Sequence, residues 1–147
     1  MPKFARYQIF VHLAALVPLT WLIYDAVAGN LSVNQIQDIE QRTGRYALML
    51  LTASLSCTPA HILTGWPPLI RWRRPLGLYA FTYAVLHFLT FIGLDYGFNL
   101  AAIWADVAGK RYIFVGAAAL LVLLLLASTS TDGWKRRLRK TWKRLHR

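Results

Sequence analysis

The sequence predicts an all-α membrane protein: a bundle of four membrane-spanning helices followed by a C-terminal basic amphipathic helix. Three observations carry that reading. The chain is 56% hydrophobic over its 147 residues, with a mean hydropathy of +0.39, against roughly 45–50% apolar residues in a soluble domain. The excess is concentrated in four blocks, each close to the roughly 20 residues that cross a hydrocarbon core about 30 Å thick. The basic residues gather in short segments between and after those blocks.

The first block runs from about Gln8 to Val27 and the second from about Arg45 to Thr64. The third runs from Leu76 to about Leu94. The fourth, Tyr112 to Ser128, is shorter but almost purely apolar. Met1, Pro2, Lys3 and Phe4 open the chain without the layout of a cleaved signal peptide, and no small-residue cleavage site follows the first block. That block is therefore expected to stay as a helix.

The net charge is +11. In a soluble protein such a charge would point to nucleic acid. Here the basic residues flank apolar blocks, so they read as topology signals and lipid headgroup contacts, and nucleic acid is not expected as a partner. Orientation follows from where Lys and Arg fall. Alternate connecting segments carry thirteen of them against four. The rich set is Lys3 and Arg6, then Arg71, Arg73 and Arg74, then the eight that follow the fourth block. The poor set is Arg42, Arg45, Lys110 and Arg111. The rich side is expected to be cytoplasmic, which places both termini there. Asp38, Glu40, Asp95 and Asp106 all fall on the other side.

Residues 1–131 form the expected helical bundle, and residues 132–147 a separate element. Thr131 or Asp132 can cap a helix there. Trp134, Leu138, Trp142 and Leu145 then recur at helical spacing, opposite a basic face. This pattern predicts an interfacial helix on the lipids of the inner leaflet.

Cys57 is the single cysteine. One thiol excludes an internal disulfide framework and an iron–sulfur cluster held by four thiolates of this chain. No HExxH, CxxC or glycine-rich phosphate loop is present, and a hydrolase has no support. A transporter would call for a pair of broken helices, which the pattern lacks.

His87 is the residue that stands out. It lies eleven residues into the third block, roughly 16 Å at about 1.5 Å per residue. An ionisable group at that depth is a functional hypothesis by default. On a helical wheel Ala80, Tyr83, Ala84 and Thr90 flank it, so it is expected to look inward. Small neighbours leave room for a flat cofactor, and equally let helices pack closely. The residues alone leave both readings open: a heme ligand, or a neutral histidine hydrogen-bonded inside the bundle. His12, His61 and His146 are all expected near the inner surface, roughly 10–16 Å from His87 in depth.

Several stretches resemble the MsrQ (YedZ) family, the heme-binding membrane subunits of the bacterial periplasmic methionine sulfoxide reductase system, within the ferric-reductase-like transmembrane group. They are HLAALVPLTWLIYD from His12, TGRYAL from Thr43, Thr58 with Pro59, and RRPLGLYAFTYAVLHFLTF from Arg73. Further on come KRYIFVG from Lys110, LASTSTDGWKRRL from Leu126 and TWKRLHR from Thr141. The resemblance implies b-type heme, with FMN as a further cofactor. It implies electrons drawn from the quinone pool and passed across the bacterial inner (plasma) membrane to a periplasmic molybdopterin-containing methionine sulfoxide reductase subunit, for repair of oxidised proteins. The chain would then be an electron-transfer subunit of an oxidoreductase rather than a stand-alone enzyme. The family's heme-binding histidines fall on His87 and His146. The family fold continues through the rest of a fifth helix and a sixth, so the 132–147 segment is expected to lead into a missing helix and the bundle to be C-terminally truncated. The competing expectation is a non-catalytic membrane anchor, or a degenerate paralogue without heme.

Overall fold

A computed structural model describes residues 3–145 and is helical throughout its regular structure. The helices are α1 (Lys3–Ala28), α2 (Gln35–Thr64), α3 (Pro68–Leu89), α4 (Leu100–Gly109), α5 (Arg111–Ser128) and α6 (Asp132–Leu145). A π-helical segment, Thr90–Asp95, continues α3. Four helices are long and apolar enough to cross a membrane: Tyr7–Ala28, Gln35–Thr64, Pro68–Asp95 and Arg111–Ser128. They correspond to the four apolar blocks.

The first three helices begin before their hydropathy blocks, the second and third by the most. The second helix begins at Gln35, ten residues before Arg45. Asn34 caps it, its side chain accepting from the Gln37 N–H at 3.2 Å, and Asp38 complements the helix dipole in the first turn. Hydropathy does not register these polar first turns. The third helix begins at Pro68, where a proline fits because the first helical N–H needs no partner. It then runs through Pro75 without ending. Pro18 and Pro59 likewise lie inside α1 and α2, as spanning helices tolerate when neighbours re-satisfy the freed backbone groups. A short helix, α4, occupies what reads as a loop between the third and fourth blocks. It is apolar but, at 10 residues, too short to span the hydrocarbon core.

The chain divides into two compact units, Met1–Asn99 and Leu100–Arg147. In the first, α3 packs chiefly along α2, with α1 against them both. The interior of this unit is largely small and polar: Ala15 and Asp25 of α1, Thr43, Ser54 and Cys57 of α2, and Ala80 and Tyr83 of α3 are buried, with Val11 and Leu22 of α1 beside them. Large apolar side chains such as Phe10, Trp21, Leu55 and Leu63 point outward. Lipid is as apolar as leucine, so large apolar side chains lose nothing by facing it. Close packing and interhelical hydrogen bonds decide the interface instead. The Tyr83 hydroxyl donates to the Ala15 carbonyl at 2.8 Å. The Ser54 hydroxyl donates to the Arg73 carbonyl at 2.7 Å, and Arg73 Nη1 to Thr58 Oγ1 at 3.1 Å.

In the second unit, α6 departs from a continuous amphipathic helix. Arg139 has φ 44° and ψ −108°, which interrupts the helical backbone. Trp134 and Trp142 therefore do not lie on one unbroken stripe. Trp134 is partly exposed and carries the Arg137 guanidinium over its ring at 5.6 Å. Trp142 is tied back to the α5–α6 turn, its indole N–H donating to the Thr129 carbonyl at 2.9 Å.

Candidate functional site

His87 sits on the last turn of α3, half-buried, just before the π-helical segment. Its Nδ1 is 2.9 Å from the backbone carbonyl of Glu40 on α2. A carbonyl can only accept, so Nδ1 carries a proton, and in the neutral ring Nε2 then keeps its lone pair. Histidines that bind a metal through Nε2 are held in this way, the hydrogen bond from the other ring nitrogen fixing the ring's orientation and raising its basicity. The ring rests on Gly44. A Cβ built there would lie 3.1 Å from His87 Nδ1 and 3.2 Å from Cε1, so the glycine is what lets the two helices bring the ring against the backbone. Ala80, Tyr83 and Thr90, read from the sequence as the inward face around His87, are all buried.

The acceptor is held in turn. Thr43, only 2% exposed, places its hydroxyl 2.8 Å from the Ile39 carbonyl and 3.0 Å from the Glu40 carbonyl. Next to it Arg42 donates to Asp25 of α1 at 2.6 Å and to both carboxylate oxygens of Asp38 at 2.8 and 3.1 Å. Asp38 also accepts from the Ser32 N–H at 3.1 Å.

The other histidines lie elsewhere. His12 Nδ1 is 3.0 Å from the Tyr79 hydroxyl, and Tyr79 precedes His87 by two turns of α3, about 12 Å along the helix. His61 donates from Nδ1 to the Trp66 carbonyl at 2.9 Å, closing the turn after α2. It lies about 25 Å along α2 from Gly44. His146 lies outside the described residues. Within the Met1–Asn99 unit, then, His87 has no second histidine at its level. Among the described residues no group of three or more His, Cys, Asp or Glu could hold a metal ion together.

These features suit a histidine that would hold a heme iron: a ring oriented through Nδ1, an Nε2 without a hydrogen-bond partner among the described residues, and a neighbour without a side chain. They do not bring a second histidine to the same level of this unit. The sequence pointed to His87 and its face. It gave no notice of Gly44 or the Glu40 carbonyl, since a backbone acceptor leaves no mark on residue type. The Asp38–Arg42 pair did leave one, in its i, i+4 spacing.

The segments that the structure joins at this point match known proteins. Residues 43–147 match the family described as ferric reductase like transmembrane component. The chain is 48% identical over 141 residues to the protein-methionine-sulfoxide reductase heme-binding subunit MsrQ of Rhodospirillum rubrum, covering 95% of this chain and 68% of that one. The same-named protein of Xanthomonas axonopodis pv. citri is 43% identical over 142 residues, 92% of this chain and 65% of its own. That of Caulobacter vibrioides is 40% identical over 138 residues, 93% and 66%. The chain belongs to the MsrQ family. It spans about two thirds of the length of these relatives. No solved structure matches it. The MsrQ resemblance read from the sequence motifs thus stands, and the motifs meet in space: TGRYAL contacts RRPLGLYAFTYAVLHFLTF through Gly44 and His87, and Thr58 contacts it through Arg73.

Proposed function

We propose that the chain is the membrane electron-transfer subunit of a periplasmic methionine sulfoxide reductase system, with a b-type heme held by His87. One observation carries this reading: in a member of the MsrQ family, the histidine of the third spanning helix is held across to the second by a backbone carbonyl on Nδ1 and rests on a glycine, with Nε2 left to face a metal. A heme bound there supplies a one-electron carrier inside the membrane. His87 would provide the ligand through Nε2, the Glu40 carbonyl fixes the ring, and Gly44 lets the ring lie against α2. His146 is the second family histidine and is proposed to ligate heme as well. The proposed donor is the quinone pool, the acceptor a periplasmic molybdopterin-containing partner subunit, and FMN a further cofactor. Together they would return methionine sulfoxide in oxidised proteins to methionine.

The test is optical. Protein purified after expression with ample heme is expected to be red, with Soret and α bands that shift on dithionite reduction. A colourless preparation would favour an anchor or a paralogue that has lost heme.

The location is proposed as the bacterial inner membrane with both termini cytoplasmic, supported by the thirteen-to-four distribution of basic residues. Reporter fusions after Gly29 and Asp95 are expected to report the periplasm, and one after Arg147 the cytoplasm. A periplasmic C-terminus would overturn the orientation. The tail is proposed to lie on inner-leaflet lipids through Trp134 and its basic residues.

A further inference from the structure

Two arginines lie one turn apart near the start of α2, and the structure treats them differently. Arg45 is exposed. Arg42 is drawn into a cluster with two carboxylates from different parts of the chain. Asp25, on the last turns of α1, is 7% exposed. A carboxylate buried that far inside an apolar helix pair is costly unless it is paired and hydrogen-bonded. Arg42 Nη1 meets it at 2.6 Å. The other side of the guanidinium grips Asp38 through Nε and Nη2 at 2.8 and 3.1 Å. Asp38 accepts from the Ser32 N–H of the α1–α2 connection. One planar fork thus fastens α1, the connection and the first turns of α2, in a bidentate geometry a lysine could not reproduce.

The position of that clamp gives it a consequence. The clamped residues, Asp38 and Arg42, bracket Glu40, whose carbonyl accepts the His87 Nδ1 proton. The next residue, Thr43, is buried and bonds the same carbonyl. Gly44, one residue further, is the surface on which the imidazole rests. At this level α1 holds α2 through the Asp25–Arg42 pair and α3 holds it through the His87–Glu40 bond. A shift of α2 along α3 by a few tenths of an ångström would change both the hydrogen bond and the ring's contact with Gly44.

We propose that the Asp25–Arg42–Asp38 cluster is a positioning device for His87. It sets where α2 presents the Glu40 carbonyl, and through that bond it selects the Nδ1-protonated tautomer and aims Nε2. The three residues touch neither His87 nor its ligand, so they are positioning residues. The functional weight of the proposal rests on His87 as the heme ligand. The structural claim about its tautomer does not.

The experiment uses the full chain in detergent micelles. Imidazole nitrogen NMR reads the tautomer of His87, assigned by loss of its signals in His87→Ala. Hemin titration reads affinity, and far-ultraviolet circular dichroism reads helix content. The variant is the double substitution Asp25→Asn with Arg42→Gln, which removes the buried Asp25 charge together with its partner and leaves Asp38 its bond from the Ser32 N–H. In the unaltered chain His87 is expected to be protonated at Nδ1 alone. In the variant the two tautomers are expected to mix, and hemin affinity to fall by about tenfold or more, the scale on which outer partners act on metal sites, at unchanged helix content. Should the double variant fail to fold, Arg42→Lys keeps the charge and removes the fork, and is expected to show the same mixing to a smaller extent. A pure Nδ1–H tautomer with undiminished hemin affinity in a folded variant overturns the proposal. Absence of hemin binding to the unaltered chain counts against the heme reading alone, and the tautomer then decides the positioning claim.

Discussion

Replacing His87 by alanine is expected to abolish heme binding, while His61→Ala leaves it in place. The two histidines make the same local bond, Nδ1–H to a backbone carbonyl at 2.9 Å, so the bond alone does not distinguish them. Their settings do. His61 closes the turn that follows α2, with its acceptor only five residues away in sequence, at Trp66. His87 reaches from one spanning helix to another, rests on a glycine and belongs to a buried face. Loss of the imidazole removes the ligand itself. The expected drop in affinity therefore exceeds the roughly 10–100-fold that loss of an outer partner costs. Pyridine hemochrome measured per polypeptide on both variants checks this. Heme bound by the Met1–Asn99 unit is expected to be five-coordinate, because His12 and His61 lie about 12 and 25 Å away along their helices. A full complement of low-spin heme on the 147-residue chain would show that a ligand from outside that unit, His146 as proposed or a group of a second copy, completes the site. Loss of heme in His61→Ala with retention in His87→Ala would overturn the assignment.

Gly44→Ala is expected to separate stability from function. Alanine is favoured over glycine in a helix interior by about 1 kcal/mol, so α2 by itself gains. The added Cβ would stand 3.1 and 3.2 Å from two atoms of the His87 ring, tighter than ordinary contact, and the ring must give way by a few tenths of an ångström. The ring is also held by its bond to Glu40, so giving way lengthens that bond. The expected result is a thermal midpoint unchanged or raised, with hemin affinity down about 10–100-fold. Gly44→Ser is expected to behave alike, since the Cβ is the obstacle. Equal loss of stability and of heme would mean that Gly44 serves only to pack the helices.

Much of the fold was legible before any coordinates because bilayer thickness converts length and apolarity directly into spanning helices. The four blocks became the four long helices for that reason. Their true starts were less legible. The polar turns from Gln35 to Gly44 and the run from Pro68 to Pro75 are helical through capping and through contacts with neighbouring helices, and hydropathy measures neither. The C-terminal stripe of Trp134, Leu138, Trp142 and Leu145 assumed an unbroken helix. The backbone at Arg139 interrupts it, and Trp142 finds the Thr129 carbonyl instead.

The sequence by itself determined that His87 is an ionisable group within a spanning helix on a face of small and polar residues, and its motifs determined the family. Both facts are written in residue type and spacing. Tertiary structure alone decided which nitrogen of His87 carries the proton. That choice depends on a backbone carbonyl forty-seven residues away, brought close by a glycine and bracketed by an arginine clamped to two aspartates. A carbonyl is common to every residue, so only the packing of α1, α2 and α3 could single out the one at Glu40.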